Sequence, residues 1–268
     1  MSRASAPVRA LAIVPARLGS QRLPRKMLLA RTGKALVVHT AENLARAKSL
    51  AGVVVATDAD EIAQAVERAG FRAVLTSPTH PSGSDRVFEA LEKLGRTACD
   101  VVVNVQGDEP ELDPSDLDAL VAVFAAQNVS AATLCVPLDS AEQALAPQAV
   151  KVVRASNGDA LYFSRSCVPY RAGESTSAYA RDDAPAWSSI VRRHLGVYAF
   201  RPDALARFVS LPRGALERLE NLEQLRWLEA GERMRVVEAR RSPLGIDTAL
   251  DYDAFVERVR AGSPLHGA

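Results

Sequence analysis

The sequence is poor in the features that mark most zinc, redox and membrane proteins. Its three cysteines, Cys99, Cys135 and Cys167, are odd in number, far apart and without CxxC spacing. That excludes a zinc ribbon and a disulfide framework and leaves reduced thiols. No apolar run approaches the length of a membrane span, and the first residues lack an apolar stretch long enough for secretion. The expectation is a cytoplasmic chain with no membrane partner. Neither sign of charge dominates, because 33 Lys and Arg stand against 32 Asp and Glu for a net charge of +1. A chain that lives on nucleic acid is usually more basic, so no nucleic-acid partner is expected. The Walker pattern GxxxxGK(S/T) and the dinucleotide pattern GxGxxG are both missing, as are internal repeats and low-complexity tracts.

What is present is an α/β alternation. Apolar residues make up 48% of 268, enough for one large domain with a substantial core. Buried strands are expected at 10–15 ("ALAIVP"), 52–58 ("GVVVATD"), 72–76 ("RAVLT") and 100–110 ("DVVVNVQGDEP"), with helices at 36–48, 60–70 and 82–95 between them. Such alternation predicts a mostly parallel sheet covered on both faces, with ligands outside the carboxyl ends of its strands. Beyond residue 128 strands dominate, at 130–138, 149–156, 160–165, 195–200 and 233–239, and "NGD" at 157–159 signals a hairpin. Helices are expected at 202–211, 215–231 and 248–262. Residues 171–190 carry Gly, Ser, Pro and charge without periodicity and read as an exposed loop, and residues 1–8 as a loose tail.

Several segments carry chemistry. "ARLGSQRLPRK" (16–26) follows the first strand and packs Arg17, Arg22, Arg25 and Lys26 into eleven residues beside the small Ala16, Gly19 and Ser20. Small residues let backbone N–H groups approach an anion, and the cations neutralise it, which suits a triphosphate. A solvated surface loop is the competing reading. "NVQGDEP" places Asp108 and Glu109 directly after an apolar strand. It is either a punctuated turn or a place where Mg²⁺ meets one or two carboxylates and substrate phosphates. In "GIDT" (245–248), Asp247 is either part of the cap of the closing helix or a second carboxylate for the same metal. Spacing alone does not choose. Ser84 in "SGSDR" (82–86) is a fair N-cap, and the spacing of Glu217, Glu220 and Gln224 puts them on one helical face.

"IVPARLGSQRLPRK", "VVVATD", "SGSDR", "VNVQGDEP", "ALYFSR", "RRHLGVYAF", "LENLEQLR" and "GIDT" occur in this order from about residue 10 to residue 260. Together they closely resemble the 3-deoxy-manno-octulosonate cytidylyltransferases, also called CMP-Kdo synthetases. The resemblance implies a Rossmann-like nucleotidyltransferase fold, with a mostly parallel central sheet, helices on both faces and a smaller β-rich lobe for dimerisation and sugar binding. It implies one domain over 9–268. Within it, 9–128 mainly binds nucleotide, 129–245 mainly binds sugar and dimerises, and 246–268 closes the fold. It implies a homodimer that uses Mg²⁺ to transfer CMP from CTP to 3-deoxy-D-manno-octulosonate (Kdo), releasing pyrophosphate, for lipopolysaccharide assembly. The alternatives are another acidic sugar, 8-amino-Kdo or a sialic acid, and a degenerate nucleotide-binding module.

Carried over by resemblance, Arg17, Lys26, Asp108 and Asp247 are the catalytic set, with Asp108 and Asp247 on the metal. Ala16, Arg17, Arg22, Lys26, Ser84, Arg86 and Asp108 line the nucleotide. Gln106, Arg165, His194, Glu217 and Glu220 line the sugar, with Arg165 on its carboxylate. The family commonly has glycine where this chain has Arg25.

Overall fold

The computed structural model describes residues 8–20, 22–126, 128–138, 140–170 and 190–262. The expected tail lies outside this range except for residue 8, and the expected loop at 171–190 except for residue 190. The strands are β1 (Ala10–Ala16), β2 (Leu50–Thr57), β3 (Arg72–Leu75), β4 (Val101–Asn104), β5 (Ala131–Pro137), β6 (Lys151–Arg154), β7 (Ala160–Ser164), β8 (Val191–Phe200) and β9 (Arg235–Glu238). The helices are α1 (Leu36–Leu44), α2 (Asp60–Arg68), α3 (Gly83–Leu94), α4 (Pro114–Ala122), α5 (Ala141–Leu145), α6 (Pro202–Ser210), α7 (Ala215–Glu220), α8 (Leu225–Glu229) and α9 (Ala249–Arg260).

One sheet runs β3-β2-β1-β4-β8-β5-β9. β8 alone on that path runs against its neighbours, since β1, β2, β3 and β4 pair in parallel and β5 pairs antiparallel to β8 but parallel to β9. The β-rich second half is therefore not a separate sheet. It extends the first through β4 and β8, and the β6–β7 hairpin branches from β8.

The period of two along the strands sorts side chains onto two cores. Ala12 and Val14 face α1, α2 and α4 with Val37, Ile62 and Leu117. Ile13 faces the other side with Val87, Leu91, Leu205, Phe208 and Trp227. A third cluster packs Tyr252, Phe255 and Val256 of α9 on Leu36, which docks the end of the chain beside α1.

Three local expectations are corrected. The N-cap of α3 is Ser82, whose hydroxyl accepts from the Asp85 N–H at 3.2 Å, so Ser84 is a buried helical residue. The helix expected over 215–231 is two, because Asn221 adopts a left-handed conformation (φ 51°) and breaks it. The apolar run of 100–110 is a strand only to Asn104, after which the chain turns. Two helices lie outside the expected set. One is α4, whose cap is Asp113 with Pro114 in its first turn, and the other is the five-residue α5.

Candidate active site

A cavity of about 460 Å³ opens at the carboxyl ends of β1 and β4 and the N-terminus of α3. Its walls come from the basic loop (Ala16, Arg17, Arg22, Lys26), from His80 to Gly83 with Arg86, from Gln106 to Asp108, and from Asp247. These segments lie far apart in sequence, and the parallel sheet brings them to one edge.

Lys26 is the hub. It begins a short 3-10 turn (Lys26–Leu28) and is buried, with its side chain 8% exposed. Its ammonium donates to the Asp108 carboxylate, to the Ile246 carbonyl at 2.8 Å and to Asp247 Oδ1 at 3.4 Å. Arg22 donates to the same Asp247 oxygen at 2.9 Å. The Ile246 N–H donates to the Asp108 carbonyl at 2.9 Å, which ties the "GIDT" segment along the "QGDEP" turn. Thr248, in a capping box with Asp251, caps α9, so Asp247 is free of capping duty and faces the cations. Arg17 is exposed and makes no hydrogen bond or ion pair with the described residues.

Two glycines permit the close packing. A Cβ on Gly107 would come within 2.8 Å of Met27 Sδ, and one on Gly245 within 2.9 Å of Glu109 Oε1. Glu109 packs against Gly245 with Oε2 unpaired. Burial, and secondarily the Asp108 charge, push its carboxyl up to about 8. Among the described residues there is no group of three or more metal-ligating side chains. Two carboxylates from different segments that share one ammonium, at the edge of an open cavity, are the donor set that suits Mg²⁺ completed by substrate phosphates.

A second cavity of about 400 Å³ adjoins the first at Asp247 and lies over β8. Glu109, Arg193, His194, Tyr198 and Gln224 line it, along with main chain at Gly196 and Gly245. Burial holds the His194 imidazole down to about 3, so it is neutral. Its Nε2 meets Thr133 Oγ1 at 2.9 Å and its ring packs edge-on to Phe163. Tyr198 donates to Gln224 Oε1 at 3.0 Å, leaving the buried Gln224 Nε2 without a partner. Arg193 Nε is also unpaired.

The structure gathers Ala16, Arg17, Arg22, Lys26, Arg86, Gln106, Asp108 and Asp247 in the first cavity and His194 in the second. Ser84, Arg165, Glu217 and Glu220 line neither. The Ser84 hydroxyl donates to Glu223 Oε1 at 2.8 Å behind the cavity wall. Glu217 is buried in an ion pair with Arg226, at 2.6 and 2.8 Å. Glu220 accepts from Ser164 Oγ and from the Arg165 N–H at 2.6 and 2.9 Å. The Arg165 guanidinium is turned to the carbonyls of Glu220, Pro147 and Asn221. Gln224, beyond the break at Asn221, lines the second cavity where the glutamates of α7 do not. Sequence reasoning raised Glu109 only as one of the two carboxylates of the "QGDEP" turn and assigned no site role to Arg193, Tyr198 or Gln224. Tyr198 was findable as the inward member of an alternating strand, whereas Gln224 needed the unpredicted break.

The cytidylyltransferase family model matches residues 11–234. The chain is 44% identical over 257 residues to the 3-deoxy-manno-octulosonate cytidylyltransferase of Nitratidesulfovibrio vulgaris, covering 96% of this chain and 98% of that one. It is 44% identical to that of Methylobacterium radiotolerans, covering 94% and 95%. The chain belongs to the 3-deoxy-manno-octulosonate cytidylyltransferases. Its structure is similar to that of a CMP:2-keto-3-deoxy-manno-octonic acid synthetase complexed with CTP, with 36% identity, a TM-score of 0.84, and coverage of 95% of this chain and 99% of that one. A 4-diphosphocytidyl-2C-methyl-D-erythritol synthase from Anaerococcus prevotii, 13% identical with a TM-score of 0.61, shares the fold alone.

Proposed function

We propose that this member of the family transfers CMP from CTP to the anomeric hydroxyl of Kdo, releasing pyrophosphate, in lipopolysaccharide assembly. The observation that carries the reading is the pair of adjoining cavities. One is rimmed by cations with two facing carboxylates, the other is polar with a single cation, and Asp247 is common to both.

In this reading the triphosphate lies in the first cavity. Arg17, which has no partner among the described residues, and Lys26 neutralise it and the departing pyrophosphate, with Arg22 and the small Ala16 alongside. Asp108 and Asp247 hold Mg²⁺, which when bound adds charge neutralisation at the phosphates. Arg86 and Gln106 lie on the walls nearest the base and the sugar. Kdo occupies the second cavity, where Gln224 Nε2 and the neutral His194 offer polar contacts to hydroxyls and Arg193 supplies the positive charge. The anomeric oxygen attacks the α-phosphorus in line as pyrophosphate leaves, a reaction in which positioning and charge do most of the work. Assembly as a homodimer and a cytoplasmic location complete the reading and rest on the resemblance. No described helix is long and apolar enough to cross a membrane.

Pyrophosphate release with CTP and Mg²⁺ against a panel of Kdo, 8-amino-Kdo and sialic acid tests it. Release with Kdo at the highest kcat/KM is expected. Preference for another sugar, or binding of CTP without release, would overturn it.

A further inference from the structure

Asp58 ends the "VVVATD" segment directly after β2, and the proposed reaction leaves it without a task. It lines neither cavity, and its side chain is 16% exposed. Both of its oxygens are nevertheless engaged, by opposite walls of the first cavity. Oδ1 accepts from the Leu18 backbone N–H at 3.2 Å, one residue beyond Arg17. Oδ2 accepts from the Arg86 guanidinium at 3.1 Å. A second nitrogen of Arg86 donates to Thr76 Oγ1 at 2.6 Å, and Thr76 is in turn bound to the Thr57 carbonyl through its N–H at 2.8 Å and its hydroxyl at 3.1 Å. Arg86, 4% exposed, is thus anchored to the ends of β2 and β3 while its edge lines the cavity.

We propose that Asp58 is a positioning residue for the nucleotide, fixing the basic loop at Leu18 against Arg86 so that Arg17 and the α3 wall keep their spacing before CTP arrives. The proposal rests on the nucleotide reading of the first cavity. Its physical basis is preorganisation. A loop that must be ordered on binding spends part of its interaction energy on lost chain entropy, and a loop already tied down does not. The Leu18 contact is the loop's first side-chain tie after β1, and it acts on the backbone next to Arg17, the one cation of the loop without a partner among the described residues. An ion pair that only stabilised the fold would not single out one substrate.

Two variants separate these roles. Asp58→Ala removes both contacts, whereas Asp58→Asn keeps an acceptor for Leu18 and drops the charge facing Arg86. Calorimetric titration of the folded protein with CTP, without sugar, reads the effect directly, and steady-state kinetics read the KM for each substrate. The expected result is about a tenfold weaker CTP affinity in Asp58→Ala and a smaller loss in Asp58→Asn, the scale of about one hydrogen bond's free energy. The KM for Kdo should be unchanged in both. Undiminished CTP affinity in folded Asp58→Ala, or equal losses for CTP and Kdo, would overturn the proposal. If Asp58→Ala does not fold, Asp58→Asn decides by the same criteria. Failure of the parent protein to bind CTP would instead strike the nucleotide reading beneath it.

Discussion

The two cavities are built by different means. The first sits where parallel strands end, walled by the end of β1, the start of α3 and the loops that leave β1 and β4 and enter α9. The second lies along β8, the strand that runs against its neighbours on the main path, and is closed by a residue beyond a helix break. In a parallel sheet the carboxyl ends are marked in the sequence by where the apolar run stops, so chemistry found there can be placed. Along an antiparallel strand, alternate residues point to opposite faces and no end is privileged. The first cavity is therefore a feature of topology and the second a feature of local geometry.

The sharpest way to break that contrast is at Asp108. Asp108→Asn keeps the size of the side chain and removes one of the two charges facing Lys26. Turnover at saturating CTP and Mg²⁺ should fall by at least about a hundredfold, the scale of a lost charge-stabilising group at a reacting centre. Near-normal pyrophosphate release would show that the carboxylates serve only to bury Lys26.

Glu217 and Gln224 test the second cavity from both sides. Glu217 is 3% exposed and bound to Arg226, itself 8% exposed. Glu217→Ala leaves a guanidinium buried without its partner, which costs about 3–5 kcal/mol of stability. The KM for Kdo measured below the melting temperature should not move. Gln224→Leu should act on the sugar instead, raising the KM for Kdo about tenfold through one lost hydrogen bond while CTP affinity holds, and lowering the melting temperature less than Glu217→Ala does, because only the Tyr198 hydroxyl loses its acceptor. If Glu217→Ala raised the KM for Kdo in a folded protein, α7 would have to rejoin the cavity, and the helical face read from spacing would be the better guide.

Legibility followed the same division. The order of strands and helices through residue 110 was readable because apolar runs and caps agree there, and the "QGDEP" turn could be placed at the ligand edge because it follows a buried strand. Asp247 was ambiguous until Thr248 took the cap. The second half was readable as strands but not as a site. "LERLENLEQLRW" has uninterrupted helical spacing, and nothing in its composition announces that Asn221 turns left-handed, although asparagine tolerates that conformation better than most residues. Ser84 shows the opposite error. Two serines compete for one cap; Ser82 takes it, and Ser84 turns to Glu223, which is remote in sequence.

The smallest effect concerns Arg25, the extra cation of the basic loop. Its backbone is left-handed (φ 54°, ψ 29°), a conformation that explains why glycine suits this position. Its side chain does not line the cavity and is paired instead with Glu61 in the first turn of α2. Both partners are about half exposed, so the pair is worth about 0–1 kcal/mol. Left-handed geometry costs a residue with a Cβ about 1–2 kcal/mol, and glycine loses about 0.5–1 kcal/mol through the freedom it gains when unfolded. These terms nearly cancel. Arg25→Gly should shift the melting temperature by no more than about 3 °C in either direction. It should leave kcat/KM for CTP within about twofold, since the charge removed points at α2 rather than at phosphate. Glu61→Gln removes the ion pair without relieving the backbone and should lower the melting temperature slightly. A tenfold loss of kcat/KM in Arg25→Gly, with Glu61→Gln silent, would mean that the guanidinium leaves α2 for the triphosphate, and the first cavity would then draw on a residue that its resting geometry directs elsewhere.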